Sequence, residues 1–185
     1  MRQWAEAAIG RRQLARGLRR LTLLGFEIRD VLGHGDSAQQ SDRLLVGPHG
    51  VYLVGFHSPP GNAWRSERID QVETIAARAQ ATHRLAEIVS AGLTSELSRL
   101  SVRIHPLITI VGPEQERGAL IVGLPLLGPA GLCEHVTAGA VVLSAMQVGA
   151  LMDRADDWLA RRSVINLQQR IGHQGGGRRR RPGSL

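Results

Sequence analysis

Residues 41–57, SDRLLVGPHGVYLVGFH, decide the fold of this chain of 185 residues. Two short apolar runs, RLLVG and VYLVGF, stand on either side of the turn sequence GPHG. Apolar runs of this length, separated by a turn that contains Gly and Pro, are typical of a β-hairpin. The sequence therefore predicts a buried hairpin, with Asp42 at its start and His57 at its end as the polar residues that need an explanation.

Helices and further strands are predicted on both sides of the hairpin from the period of the apolar residues. In chain order they are a helix at 4–24 that stops at Gly25, a strand at 26–32, the hairpin, a helix at 69–92, strands at 102–112 and 119–124, and a helix that opens with a capping box at 144–147 and runs toward 170. This order predicts an α/β fold, in which helices flank a mixed central sheet of about five strands. We expect one domain at 4–170 and a disordered Gly- and Arg-rich tail at 171–185.

The net charge of +7 is concentrated at the two ends of the chain, and every basic residue is an arginine. Residues 1–20 hold six arginines against one glutamate, and the tail adds four more. Four arginines of the first helix gather on one face of it, and with those of the tail they are the candidates for contact with phosphates: Arg12, Arg16, Arg19, Arg20, Arg178, Arg179, Arg180 and Arg181. The same charge also suits an acidic protein partner or a solvated helix face.

The composition limits the class of protein further. A single cysteine, Cys133, excludes an internal disulfide and a Cys-based metal site. No stretch of 18 or more residues is free of charges and turn formers. We therefore expect a soluble, cytoplasmic protein without a membrane partner. The oligomeric state cannot be predicted.

Three segments of this chain resemble the nuclease-related domain (NERD) family, a branch of the PD-(D/E)xK nuclease-like fold, over roughly residues 4–160. They are AAIGRRQLARGLRRL in the first helix, the hairpin with the SPPG that follows it, and IDQVETIAARA, whose early glutamine is Gln71. In that family an Asp precedes the first hairpin strand, and Glu-x-Lys follows thirteen and fifteen residues later. Counted from Asp42, those positions hold Gly55 and His57, while Arg11 stands where the family has a first-helix Glu.

The resemblance implies a restriction-endonuclease-like fold whose active site has degenerated. In the family the three acidic residues hold a divalent cation and the lysine helps to position or activate the attacking water. Of these groups only Asp42 remains as a metal-ligand candidate, and the chain contains no lysine at all. We therefore expect no cofactor and no catalysis, with Mg²⁺ or Mn²⁺ required only if the protein is an active nuclease.

Three functions remain open at this point. The first is a catalytically inactive nuclease-fold module that binds nucleic acid weakly and without sequence preference. The second is a protein–protein interaction or scaffold module. The third is an active metal-dependent nuclease with relocated ligands such as Glu6, Asp36 and Asp42. Separately, His34, Asp36 and Asp42 lie within nine residues and with His57 could offer a His/carboxylate metal site. A polar loop produces such clusters by default, so a solvated loop is the alternative.

The position of Arg11 leads to a specific prediction about Asp42. Arg11 falls on the helix face of Leu14 and Leu18, which is expected to pack inward. A buried carboxylate without a cation is costly unless an opposite charge lies beside it. We therefore predict that the Arg11 guanidinium pairs with Asp42, directly or through one water, and that His57 lines the same pocket. The alternative is an Arg11 that extends to solvent and an Asp42 that caps the local backbone.

Overall fold

A computed structural model describes the backbone of residues 2–31, 40–57, 69–94, 103–111 and 119–175, with side chains for 12–31, 42–57, 71–94, 103–111 and 119–162. Its elements are α1 (Arg2–Leu23), β1 (Glu27–Val31), β2 (Gln40–Gly47), β3 (Gly50–His57), α2 (Ile69–Thr94), β4 (Ile104–Ile110), β5 (Leu120–Ile121), β6 (Leu124–Leu127), α3 (Pro129–Thr137) and α4 (Ala145–Gly175). The predicted α/β class with helices flanking a mixed sheet is confirmed.

The sheet has the strand order β1-β2-β3-β4-β6-β5. Strands β1, β2 and β3 pair antiparallel, whereas β3, β4 and β6 run parallel. The chain passes from β3 to the parallel β4 through α2, since parallel neighbours need a crossover connection. The central strand β3 is buried along its whole length, which places the predicted hairpin in the middle of the molecule.

The two faces of the sheet carry different helices. On one face, Leu18 and Leu21 of α1 and Leu132 of α3 pack with side chains of β2, β3 and β4. On the other face, α2 and α4 cover the alternate residues of the same strands, including Leu44 and Leu53. Because successive side chains of a strand point to opposite faces, every polar residue of the hairpin can be assigned to one of these two cores.

Local sequence signals fix several element ends as predicted. Helix α1 ends at Leu23, and the predicted stop residue Gly25 follows two residues later with a φ of 83°, which is costly for other residues. The capping box before α4 is present, since Ser144 N donates to Gln147 Oε1 at 2.8 Å and Gln147 N donates to Ser144 Oγ at 3.3 Å. The GPHG turn joins β2 to β3 at Gly47 and Gly50, which pair across the ladder.

Other elements differ from the sequence-based prediction. Residues 119–124 do not form one strand, because the chain turns at Val122 and Gly123, both with positive φ, and separates β5 from β6. The sheet therefore has six strands. Helix α3 was not predicted, and α4 continues to Gly175, five residues into the segment expected to be a disordered tail. Residues 176–185 lie outside the described part of the chain.

Within the described ranges, no helix has both the length and the apolar composition that crossing a bilayer requires.

Candidate functional site

The hairpin register places Asp42 directly opposite Gly55. These two residues are Cα partners across β2 and β3, and His57 lies two residues beyond Gly55 on the same face of β3. Helix α2 covers that face. Leu44 lies two residues after Asp42, and Leu53 lies two residues before Gly55, so both share the face, and both belong to the core beneath α2 and α4. Asp42 is 2% exposed and His57 is 6% exposed, so both polar side chains are enclosed by the fold.

Helix α2 supplies the partners of Asp42. The Arg78 guanidinium Nη2 lies 2.9 Å from Asp42 Oδ1, and the Thr82 hydroxyl donates to the same oxygen at 3.2 Å. Arg78 and Thr82 are four residues apart, so they lie one above the other on the face of α2 that points at the sheet. Both are buried. Asp42 is therefore held by a buried ion pair and a hydrogen bond.

Gly55 is required by the close approach of α2. A Cβ at this position would collide with Thr82 Oγ1, and it would lie 2.9 Å from Ile108 Cδ1 and 3.3 Å from Asp42 Oδ1. Gly55 is not among the described glycines with positive φ. The glycine is therefore needed for space and not for an unusual backbone conformation.

Burial and charge act on the two titratable groups of this cluster. Burial is the largest influence on Asp42 and raises its pKa, while the Arg78 charge and the hydrogen bonds from Thr82 and Arg78 act in the opposite direction. Burial also lowers the pKa of His57, and the nearby Arg78 charge adds to that effect. The Nδ1 atom of His57 is buried without a hydrogen-bond partner, which further disfavours a protonated ring.

The donor set of this cluster does not fit the divalent cation that the family resemblance implies. Asp42 offers a carboxylate whose Oδ1 is already engaged by Arg78 and Thr82. Gly55 offers no side-chain ligand atom. A larger residue at this position would collide with the Thr82 hydroxyl. A Mg²⁺ ion needs several oxygen ligands in a tight octahedron. In the described residues, no group of three or more His, Cys, Asp or Glu side chains is arranged to hold a metal.

Arg11 and Gln71 are positioned by different helices. Arg11 belongs to α1, whose Leu18 and Leu21 pack on the opposite face of the sheet from Asp42. Its side chain lies outside the described residues, so the predicted Arg11–Asp42 pair stays a prediction, but the guanidinium seen at Asp42 belongs to Arg78. Gln71 is half-buried near the start of α2, two turns before Arg78. Among the other candidate metal ligands, Glu6, His34 and Asp36 also lie outside the described side chains.

The arginine face of α1 is exposed. Arg12, Arg16, Arg19 and Arg20 are all exposed, and at 3.6 residues per turn they fall within about 100° of one another around the helix axis. The buried side chains Leu18 and Leu21 lie on the opposite side of the helix. Arg178, Arg179, Arg180 and Arg181 lie outside the described residues.

The chain has no match in the comparisons with known proteins. No family model matches it, and neither the curated proteins nor the solved structures contain a significant match. The resemblance to the NERD family therefore stays a prediction that rests on the hairpin and the two helix segments.

Sequence reasoning missed Arg78 and Thr82, although a signal for them was present. The buried face of α2 is otherwise formed by apolar residues such as Ile75, Ala79 and Val89. Two polar residues at helical spacing within that face indicate a polar partner on the sheet. Asp42 and His57 are the buried polar side chains of the hairpin, so the pairing could have been inferred.

Proposed function

We propose that this chain is a catalytically inactive nuclease-fold module that binds nucleic acid through its phosphate backbone, without sequence preference. The single observation that carries the inactive part is the buried contact of Arg78 and Thr82 with Asp42 Oδ1. The binding part rests on the four exposed arginines of α1.

The contact at Asp42 supports loss of catalysis because it replaces a metal ion by an internal cation. The Arg78 guanidinium neutralises the carboxylate, and Thr82 fills the space in which a second carboxylate at position 55 would stand. Metal-assisted phosphodiester hydrolysis needs an ion that polarises the phosphate and activates water. The described side chains around Asp42 offer no such arrangement.

The arginine face supports contact with nucleic acid because it presents cations in a row along one helix. Arg12, Arg16 and Arg19 follow each other at spacings of four and three residues, so their side chains lie along the same side of α1. Guanidinium groups form paired hydrogen bonds with phosphate oxygens. Such contacts give affinity without reading the base sequence.

A binding assay with charge variants tests the proposal. The affinity of a labelled DNA duplex, followed by fluorescence anisotropy at ~50 mM salt, a condition that favours backbone contacts, is expected to fall in Arg12→Gln/Arg16→Gln and in Arg19→Gln/Arg20→Gln. Arg84→Gln/Arg154→Gln is the matched control, since it removes two charges from the helices on the opposite face of the sheet. An absence of binding by the unmodified chain would favour the scaffold function instead.

A cleavage assay tests the inactive part separately. The unmodified protein, incubated with plasmid DNA and either Mg²⁺ or Mn²⁺, is expected to leave the DNA intact. Cleavage that disappears with EDTA and in Asp42→Ala would overturn the proposal and favour the active nuclease.

A further inference from the structure

A groove runs along the second half of α2, beside the start of β4. Its volume of about 600 Å³ falls in the range of ligand-binding clefts. Glu87 and Thr94 of α2 line it on one side, and Arg103 and Ile104 line it on the other. No residue of the arginine face or of the cluster around Asp42 belongs to this lining. The groove is therefore separate from both of those sites.

The groove lies where β6 no longer covers β4. Within the described residues, the two strands pair at Ile108 and Thr109 only. At this register, the next hydrogen bond toward the start of β4 would join Pro106 O to the N–H of Pro125, but proline has no N–H. Pro106 has no N–H to donate in return either. In the part of the chain that the structure describes, the start of β4 is therefore an open edge of the sheet.

The open edge turns backbone hydrogen-bonding groups toward the groove. The Val111 N–H donates to His57 O on β3 at 2.8 Å, so the odd-numbered residues of β4 direct their backbone groups toward β3. The even-numbered residues direct theirs to the other side, because the direction alternates along a strand. Ile104 therefore presents its N–H and C=O, and Pro106 its C=O. An extended chain laid along this edge can accept one hydrogen bond and donate two.

Helix α2 forms the other wall of the groove with the side that does not pack on α4. A Cβ at Gly92 would collide with the Trp158 ring of α4, so that side of α2 faces its neighbouring helix. At 3.6 residues per turn, His83, Ser90 and Thr94 lie on the opposite side of α2 from Gly92. All three line the groove. The groove is therefore bounded by a helix on one side and by a strand edge on the other, an arrangement that accepts an added strand.

Opposite charges stand at two positions along the groove. The Glu87 side chain is 68% exposed, and Arg103 is exposed as well. Helix α2 runs in the opposite direction to β4, because it connects the parallel strands β3 and β4. Thr94, at the end of α2, therefore lies toward Arg103, and Glu87 lies seven residues farther back. That separation is about 10 Å at the rise of an α-helix, or about three residues of an extended chain.

We propose that this groove binds an extended peptide segment of a partner protein as an added strand on β4, with an acidic side chain of the peptide near Arg103 and a basic one near Glu87. Hydrogen bonds to the backbone of Ile104 and Pro106 hold the peptide. The two charges fix its direction and its register. Nucleic acid is disfavoured here, because Glu87 repels phosphates.

Phage display of random heptapeptides on the immobilised full chain tests the proposal. Enriched peptides are expected to carry an acidic and a basic residue about three or four positions apart. The most enriched peptide, synthesised with a fluorescent label, should bind the parent in an anisotropy assay. Arg103→Glu should weaken this binding by about tenfold or more, because like charges then face each other, and exchange of the acidic residue of the peptide for lysine should restore it.

A bulky residue in the groove provides a second variant. Ala91 lines the groove and is exposed, so Ala91→Trp should block the peptide without disturbing the core. Ala77→Trp is the matched control, since Ala77 is also exposed on α2 but does not line the groove, and it should bind the peptide like the parent.

Amide hydrogen exchange shows whether the peptide adds to the strand edge. The peptide should slow exchange of the Ile104 amide, whereas the Ile108 amide, which already faces β6, should change little. The proposal is overturned if no peptide is enriched on the parent relative to Ala91→Trp, if the enriched peptides lack the charge pair, or if exchange at Ile104 is unchanged. It is also overturned if the parent is a dimer by light scattering and Ala91→Trp is a monomer, because a second copy would then fill the groove.

Duplex affinity separates this proposal from the nucleic-acid function. Ala91→Trp is expected to bind duplex DNA like the parent, because α1 and α2 lie on opposite faces of the sheet. Failure of peptide binding therefore leaves the proposed function unaffected, and the reverse also holds.

Discussion

The Thr82 hydroxyl occupies the place where a side chain at Gly55 would begin. Thr82 belongs to α2 and Gly55 to β3, so α2 packs closely on the hairpin at the point where the strand has no side chain. In the family that the hairpin resembles, position 55 would carry a glutamate that binds metal. The absence of a side chain at Gly55 allows α2 to close over Asp42.

We predict that Gly55→Ala lowers the free energy of unfolding by about 1 to 3 kcal/mol, the usual cost of overpacking a core. Adding Thr82→Ala should recover part of this loss, because it removes the colliding hydroxyl. The measurement is urea unfolding of the two single variants and the double variant. Gly149→Ala is the control, since a Cβ at that position in α4 meets no described atom within 4 Å beyond its chain neighbours and the nearby backbone of its own helix; it should not destabilise the protein. Strictly additive effects of Gly55→Ala and Thr82→Ala would contradict this account.

The buried ion pair predicts a large cost when one partner is removed. Arg78→Met strands the Asp42 carboxylate and should lower the free energy of unfolding by about 3 kcal/mol or more. Asp42→Leu in the same chain should restore most of that loss, because the carboxylate that Arg78 neutralises is then removed as well. Arg29→Met is the comparison, since it breaks the Arg29–Asp156 ion pair between side chains that are 38% and 47% exposed; it should cost at most about 1 kcal/mol. Equal losses in the free energy of unfolding for Arg78→Met and Arg29→Met would show that removing one partner of the buried pair costs no more than breaking an exposed pair.

The lowered pKa of His57 predicts a loss of stability in mild acid. A histidine whose pKa is lower in the folded than in the unfolded protein binds fewer protons when folded, so stability falls as the pH drops below about 6.5. His57→Leu should therefore flatten the dependence of the urea midpoint on pH between about 7.5 and 5.5. His105 contributes in the same direction, since burial, followed by the charges of Arg103 and His135, lowers its pKa. Adding His105→Gln should flatten this pH dependence further. If His57→Leu alone leaves the urea midpoint as dependent on pH as in the parent, His57 does not have this role.

Introducing the residue pattern of the NERD family is not expected to produce catalysis. Gly55→Glu/His57→Lys/Arg11→Glu would supply the missing residue types, but the glutamate at position 55 collides with Thr82, and Arg78 still neutralises Asp42. We expect this variant to be destabilised and to leave plasmid DNA intact in the presence of Mn²⁺. Cleavage by the triple variant, followed on agarose gels, would mean that α2 moves aside more easily than its packing indicates.

Much of the fold could be predicted because its signals are local. The hairpin follows from two apolar runs around GPHG, and the start of α4 follows from Ser144 and Gln147, three residues apart. Helix α3 has only nine residues, too short for a clear helical period, although Pro129 at its start is a typical signal. The break between β5 and β6 depends on positive φ at Val122, a conformation that the identity of a β-branched residue does not suggest.

The site was harder to predict because its contacts are distant in sequence. The polar ends of the hairpin indicated Asp42 and His57, and both are buried on one face of the sheet. The partner of Asp42 lies 36 residues away at Arg78, and only the packing of α2 on the sheet determines which arginine reaches the carboxylate. The resemblance to a nuclease family indicated Arg11 of the first helix as the partner of Asp42. The polar residues within the otherwise apolar face of α2 would have indicated Arg78.

The central claim is that the chain binds the phosphate backbone through the arginine face of α1, and the salt dependence of duplex affinity tests it most directly. For the unmodified chain we expect log K to fall linearly with log salt. The slope should become less steep by up to about 3.6 in the quadruple variant Arg12→Gln/Arg16→Gln/Arg19→Gln/Arg20→Gln, which is about 0.9 for each phosphate that an arginine no longer neutralises. Deletion of 178–185, which removes four further arginines, should reduce the steepness by a similar amount if the tail also meets phosphates. A slope that is unchanged in the quadruple variant would contradict the claim.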